Sequence, residues 1–83
     1  IKWISPESIL NQIFNEKSDI FSFGIIIWEI LTREEPWKEH DTYDVKKLTT
    51  LGKKLSIPKE CPQFFQNIMN SCWDYQPENR ITI

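Results

Sequence analysis

The longest apolar stretch of the chain spans residues 20–31, where nine of twelve positions are apolar and the exceptions are Ser22, Gly24 and Glu29. Five of the nine are isoleucine, a β-branched residue that favours strands. A buried strand, however, usually ends within about 4–8 residues. The length of the stretch therefore favours a helix, which we predict over residues 18–32.

The start of this helix is predicted at Ser18 and Asp19, because a serine can cap free N–H groups and an acid complements the helix dipole. With a rise of about 1.5 Å per residue the apolar stretch is about 18 Å long, too short to cross a bilayer core of about 30 Å. A helix that is apolar on every side needs neighbours on every side. We therefore expect it at the centre of the fold.

Shorter elements flank this helix. Pro6 suits the first position of a helix, so Ser5 is expected to cap a short helix that runs to about residue 10. Residues 11–17 are predicted to form a polar loop in which Phe14 is the anchor. The charged residues 33–41 are predicted to form a second loop.

Two more helices are predicted downstream. Asp41 or Thr42 can cap a helix over about residues 43–51, which Gly52 would end in a left-handed conformation. Its apolar stripe is Val45, Leu48 and Leu51. Pro62 begins another helix, and its stripe has helical spacing. That stripe comprises Phe64, Phe65, Ile68, Met69, Cys72 and Trp73.

Composition and charge exclude several classes of protein. The 83 residues, 40% hydrophobic and 13% aromatic, allow one small packed domain rather than a disordered chain. The net charge is −2, and the densest basic clusters are two lysine pairs, at residues 46–47 and 53–54. These pairs are too sparse for a nucleic-acid interface, so we expect no nucleic-acid partner and no membrane segment.

The residues that could bind a metal or act in catalysis are few. Cys61 and Cys72 have no histidine nearby at the spacing of a zinc site, and we interpret them as two ordinary thiols, one of them in the core. His40 has no partner in its surroundings. It is better interpreted as a solvated loop residue than as a catalytic one, and no metal site is predicted.

Three motifs, in this order, resemble the protein kinases. Ser5-Pro6-Glu7 is similar to the Ala-Pro-Glu that closes the kinase activation segment, and residues 18–24, Ser-Asp-Ile-Phe-Ser-Phe-Gly, resemble the start of the F helix. Cys72-Trp73 with the later Pro77 and Arg80 resembles the stretch between the H and I helices. The resemblance implies a mainly α fragment of the kinase C-terminal lobe. It would comprise the end of the activation segment, the F, G and H helices and the start of the I helix.

The ends of the chain lie inside patterned sequence, so residues 1–83 are expected to be a partial kinase domain, truncated at both ends. Lys2-Trp3 and Cys72-Trp73 resemble the tyrosine kinases and their tyrosine-kinase-like relatives. The parent would then be an intracellular enzyme, or the cytoplasmic part of a receptor, that uses ATP and Mg²⁺. Its partners would be a protein substrate and the remainder of the kinase domain.

The resemblance also implies roles for individual residues. Glu7 and Arg80 would form an ion pair in which the guanidinium meets the carboxylate through two hydrogen bonds; the alternative is two unrelated surface charges. Asp19 would accept N–H groups of the catalytic loop; the plainer interpretation is the first-turn acid already described, and both can be true.

A substrate-facing segment is implied as well. It would contact the substrate residue that follows the phosphorylated one, although the tryptophan in it could equally be a core residue. This segment consists of Lys2, Trp3 and Ile4.

The groups that perform kinase chemistry are not found in the sequence. A glycine-rich loop, a strand lysine, a His-Arg-Asp loop and an Asp-Phe-Gly motif are all missing. We therefore expect no catalytic, cofactor-binding or metal-binding residue in this chain. Three hypotheses remain open: the parent is an active tyrosine or tyrosine-kinase-like enzyme, the parent is a pseudokinase that uses this lobe only to bind partners, or the chain itself is a free-standing helical interaction module.

Overall fold

The computed structural model describes residues 1–82. Four α-helices and one 3₁₀ turn follow one another along the chain. They are α1 Pro6–Asn11, α2 Glu16–Thr32, α3 Thr42–Thr50, α4 Gln63–Cys72 and the 3₁₀ turn Pro77–Asn79. Residues 1–82 contain no strand, so the prediction of a mainly α fold is confirmed.

The start of α2 differs from its prediction. The cap is Asn15, whose Oδ1 accepts the N–H groups of Lys17 at 3.0 Å and Ser18 at 3.1 Å. Ser18 returns a bond, because its Oγ accepts the Asn15 N–H at 2.7 Å. This reciprocal capping box makes Ser18 the third residue of the helix, so the prediction of Ser18 as N-cap is wrong. Asparagine is as strong a cap as serine, and the helix gains two residues by starting earlier.

The core lies between α2 and α4. Seven buried apolar residues form it: Ile20, Phe21, Ile25, Trp28, Met69, Cys72 and Trp73. Cys72 is fully buried and Cys61 is partly buried, which confirms that one thiol lies in the core.

The helix α3 packs against α1. It starts at the Asp41 cap, and Gly52 follows it with φ +85°, which confirms the predicted left-handed end. The prediction that Leu51 belongs to the buried stripe of α3 is wrong, since this residue is 64% exposed. The buried face of α3 carries Val45 and Thr49 instead. Val45 and Thr49 are four residues apart and share one face of the helix.

The helix α2 was expected to have neighbours on every side, and within residues 1–82 some of them are missing. Phe14 is 68% exposed and anchors nothing, so that prediction is wrong. Phe23, Ile26 and Ile30 on α2 are also exposed. The neighbours of α2 within residues 1–82, mainly α4, cover the opposite side of the helix, and α2 is therefore enclosed on one side only.

Candidate functional site

The strongest polar contact joins the two ends of the described chain. Arg80 Nη1 donates to Oε2 of Glu7 at 2.7 Å, and Nη2 donates to Oε1 at 2.9 Å. The Arg80 side chain is 0% exposed and that of Glu7 is 11% exposed. The pair is therefore bidentate and largely removed from water, the geometry in which arginine binds a carboxylate best.

The remaining Arg80 donors are satisfied by backbone carbonyls. Nε donates to the Asp74 carbonyl at 2.8 Å, Nη1 to that of Lys17 at 2.9 Å and Nη2 to that of Tyr75 at 3.4 Å. The guanidinium also lies 5.0 Å from the ring centroid of Phe21, within the range of a cation–π contact. One side chain thus joins α1, α2 and the loop after α4.

The ionisation of Glu7 follows from this surrounding. Burial is the largest single influence and would raise the pKa of its carboxyl. Hydrogen bonds from Arg80, from the backbone and from Ser5, together with the charge of Arg80, outweigh it and bring the pKa below the ordinary value. Glu7 is therefore held as a carboxylate.

Lys17 of α2 also holds the segment that contains Arg80. Its Nζ donates to the carbonyls of Arg80 at 3.0 Å and Ile81 at 3.2 Å, and to Oγ1 of Thr82 at 3.0 Å. Sequence reasoning missed this residue, since no pattern within residues 11–17 indicates which acceptor oxygens a lysine will reach 63–65 positions later.

The segment that precedes α1 lies along α2. Ser22 Oγ donates to the Trp3 carbonyl at 2.6 Å, and Trp3 Nε1 donates to Oε1 of Glu29 at 3.1 Å. Lys2 forms an ion pair with Glu35 in the loop after α2. Residues 2 and 3 are thus fixed by side chains of α2 and of the loop that follows it.

Trp3 packs at the edge of the core. It packs against the core formed by α2 and α4, yet it is only partly buried. Ile4 is also partly buried, and its N–H donates to the Ile1 carbonyl at 3.2 Å. Residues 2–4 therefore present a partly exposed surface on a fixed backbone.

Asp19 lies apart from these contacts. It belongs to the first turn of α2, and its side chain is exposed. Within residues 1–82 it makes no side-chain hydrogen bond or ion pair.

The other titratable side chains form no reactive cluster. Burial raises the pKa of the Cys72 thiol, and the nearby charge of Arg80 offsets part of this rise. His40 is exposed, with Nδ1 3.9 Å from Oδ2 of Asp44. Across the part of the chain that the structure describes, no three His, Cys, Asp or Glu side chains come together as metal ligands would. In that same part, every helix is too short or too polar to cross a membrane.

Known proteins resemble the chain over its full length. It is 44% identical over 80 residues to a probable serine/threonine-protein kinase of Dictyostelium discoideum. It is 41% identical over 83 residues to the human proto-oncogene tyrosine-protein kinase ROS, and 41% over 81 residues to the high affinity nerve growth factor receptor of Gallus gallus. These alignments cover 96%, 99% and 96% of this chain, but only 6%, 4% and 10% of the three relatives.

The family model of the protein tyrosine and serine/threonine kinases matches residues 1–83, which is the whole chain. The match runs through the segment before α1, the helix α2 and the Arg80 region, whose contacts join these parts in the structure. The chain therefore belongs to the protein tyrosine and serine/threonine kinase family.

Proposed function

We propose that the protein containing this chain is an ATP-dependent kinase that phosphorylates tyrosine in proteins, and that residues 1–83 form part of its C-terminal lobe. The chain supplies the helical base on the substrate side. The observation that carries this proposal is the bidentate pair of Glu7 and Arg80, because it joins the Ser-Pro-Glu motif to the Arg of the last motif.

The proposed roles follow the contacts of each residue. Lys2, Trp3 and Ile4 face the substrate residue after the phosphorylated one, and their partial exposure on a fixed backbone supports this assignment. Glu7 and Arg80 fasten the segment to the helical body. Asp19 anchors the catalytic loop of the parent, and its exposed carboxylate leaves it free to accept N–H groups.

The kinase family uses ATP and a metal ion, but the described residues do not fit either. Gly24 is packed against Trp73 and Gly52 ends α3, so neither belongs to a loop that could hold phosphate. No metal-ligand cluster forms within residues 1–82. We therefore assign no step of phosphoryl transfer to this chain, whose part is to bind and hold the substrate side.

A second candidate is a serine/threonine kinase of the tyrosine-kinase-like group. It is favoured by the 44% identity with the Dictyostelium discoideum protein, a probable serine/threonine-protein kinase. The tyrosine assignment draws on relatives named as a tyrosine kinase and as a growth factor receptor. A receptor relative also supports placing this chain in a cytoplasmic kinase domain.

The two candidates are separated by the amino acid that receives phosphate. The full-length protein is incubated with radiolabelled ATP–Mg²⁺ and either a glutamate–tyrosine copolymer or casein, and the phosphoamino acids are analysed. We expect phosphotyrosine. Phosphoserine or phosphothreonine would favour the second candidate, and a protein that neither binds ATP nor transfers phosphate would contradict both. A reaction with the metal chelated is the control.

A further inference from the structure

Two of the three exceptions in the apolar stretch of α2 bind the same residue. Ser22 Oγ donates to the carbonyl of Trp3, and Glu29 Oε1 accepts its indole N–H. We infer that Ser22 and Glu29 are positioning residues for Trp3, and that the Glu29 contact sets how tightly a substrate binds. This inference rests on the proposed function, in which residues 2–4 face the substrate.

The spacing of the two contacts suits a tryptophan at residue 3. Ser22 and Glu29 are seven positions apart, which places them on one face of α2 about 10 Å apart along its axis. The backbone of Trp3 is held at the first position and the far end of its ring at the second. The Ser22 contact uses the backbone carbonyl of residue 3, whereas the Glu29 contact needs a long side chain that ends in a donor, a condition that tryptophan meets.

The charge of Glu29 also points to a specific role. A carboxylate in an otherwise apolar stretch carries a desolvation cost unless it is hydrogen-bonded. Glu29 is partly buried and accepts the indole N–H at 3.1 Å. The bond to a charged acceptor is of the stronger class, so it restricts the ring more than a contact between neutral groups would.

The neighbouring residue is held independently. Lys2 pairs with Glu35, which lies in the loop after α2 rather than on the helix. Since residue 2 stays fixed when the Glu29 contact is removed, the loss is confined to the orientation of the Trp3 ring. A fixed surface binds a ligand with a smaller entropy loss than a mobile one. Loosening the ring therefore weakens substrate binding without affecting the chemical step.

The test compares Glu29→Leu with Glu29→Gln in the full-length protein. Glutamine keeps an oxygen acceptor, whereas leucine keeps only the approximate size. With short tyrosine peptides, we expect Glu29→Leu to raise the KM about tenfold, the effect of one hydrogen bond to a charged group. The kcat and the KM for ATP are expected to stay near wild type. Glu29→Gln is expected to restore part of the peptide affinity, because its oxygen still accepts the indole N–H but without the charge.

A second measurement follows the contact without any activity. The indole N–H of Trp3 is labelled with ¹⁵N and assigned by its loss in Trp3→Phe, and its hydrogen exchange is measured in each variant. Faster exchange is expected in Glu29→Leu, and a clearly smaller increase is expected in Glu29→Gln. Faster exchange with an unchanged peptide KM would overturn the inference, and so would a Glu29→Gln variant as impaired as Glu29→Leu. A wild-type protein that transfers no phosphate would overturn the proposed function, while the exchange data would still report the contact itself.

Discussion

Gly24 of α2 lies directly against Trp73, the residue that follows α4. A Cβ on Gly24 would lie 2.6 Å from Nε1 of Trp73 and 2.7 Å from Cβ of Cys72. Both distances are far shorter than a van der Waals contact. The two helices can therefore approach this closely only because residue 24 has no side chain.

Gly24→Ala is expected to destabilise the protein. Trp73 is 1% exposed, and the added Cβ would also meet the Cβ of Cys72, which cannot rotate away, so α2 and α4 must separate. Overpacking of this kind costs about 1–3 kcal/mol or more, which exceeds the gain of about 1 kcal/mol in helix propensity. Denaturant unfolding is the measurement. Asn70→Ala, at an exposed position of α4, is the control and is expected to be neutral; equal stability of the two variants would contradict the close packing.

The pair of Glu7 and Arg80 is expected to show strong coupling. Removing either partner leaves a charge in a buried site, at a cost of about 3–5 kcal/mol. Glu7→Gln, Arg80→Met and the double variant form a mutant cycle, and the double variant is expected to lose clearly less than the sum of the two singles. The free energy of unfolding is measured for all four proteins.

The control for this cycle is an exposed pair. Lys38 and Glu34 form an ion pair four residues apart, and both side chains are about half exposed. Water screens such a pair, so its own cycle, Lys38→Ala with Glu34→Ala, is expected to show little coupling. Coupling at Glu7 and Arg80 as small as in this control would argue that the two residues act independently.

The stability is expected to fall in acid because of Glu7. Its folded-state pKa lies below the ordinary value of 4.5, so the folded protein favours the carboxylate. The resulting stabilisation is fully present above about pH 5 and is lost as the pH falls through the folded-state pKa. Unfolding free energies measured from pH 7 to pH 3 are expected to decline less steeply in Glu7→Gln than in the wild type. Equal slopes would show that Glu7 does not contribute.

Lys17→Met is expected to loosen the end of the described chain. The variant keeps the length of the side chain but removes the three bonds to residues 80–82. Hydrogen exchange at the Ile81 amide, which donates to the Ser71 carbonyl at 3.3 Å, is expected to become faster. Lys46→Met, at an exposed position of α3, is the control. Unchanged exchange in Lys17→Met would mean that the segment is held without Lys17, by Arg80 and the bond between Ile81 and Ser71.

The isolated 83-residue chain is expected to bind a hydrophobic dye. Phe14, Ile30 and Phe64 are each 68% exposed, and leaving apolar surface in water forfeits about 25 cal/mol per Å². A few hundred Å² of such surface is comparable with the stability of a small domain. Dye fluorescence and sedimentation are the measurements. A monomer with a sharp melt and no dye signal would contradict this prediction.

Local patterns were sufficient for much of the fold. Helix type, the Asp41 cap and the left-handed Gly52 depend on neighbouring residues only, and these predictions are confirmed. The N-cap error at Ser18 is local, because Asn15 caps the helix instead, but the errors of burial have one common cause. Phe14 and Leu51 are apolar, and the sequence predicted that they would be buried, but burial depends on which element lies opposite. For both residues the structure places no such element among residues 1–82.

The three non-apolar residues within residues 20–31 show most clearly what the sequence alone could not determine. The apolar pattern alone determined that residues 20–31 form a helix, and it identified Ser22, Gly24 and Glu29 as the positions that depart from it. Only the tertiary structure determined which contact each of these three residues makes. Ser22 and Glu29 bind Trp3, 19 and 26 positions away, and Gly24 makes room for a residue of α4. Hydrophobic periodicity indicates which face of a single helix or strand is buried. It does not identify a contact with a residue far along the chain, because that contact forms only when separate elements pack together.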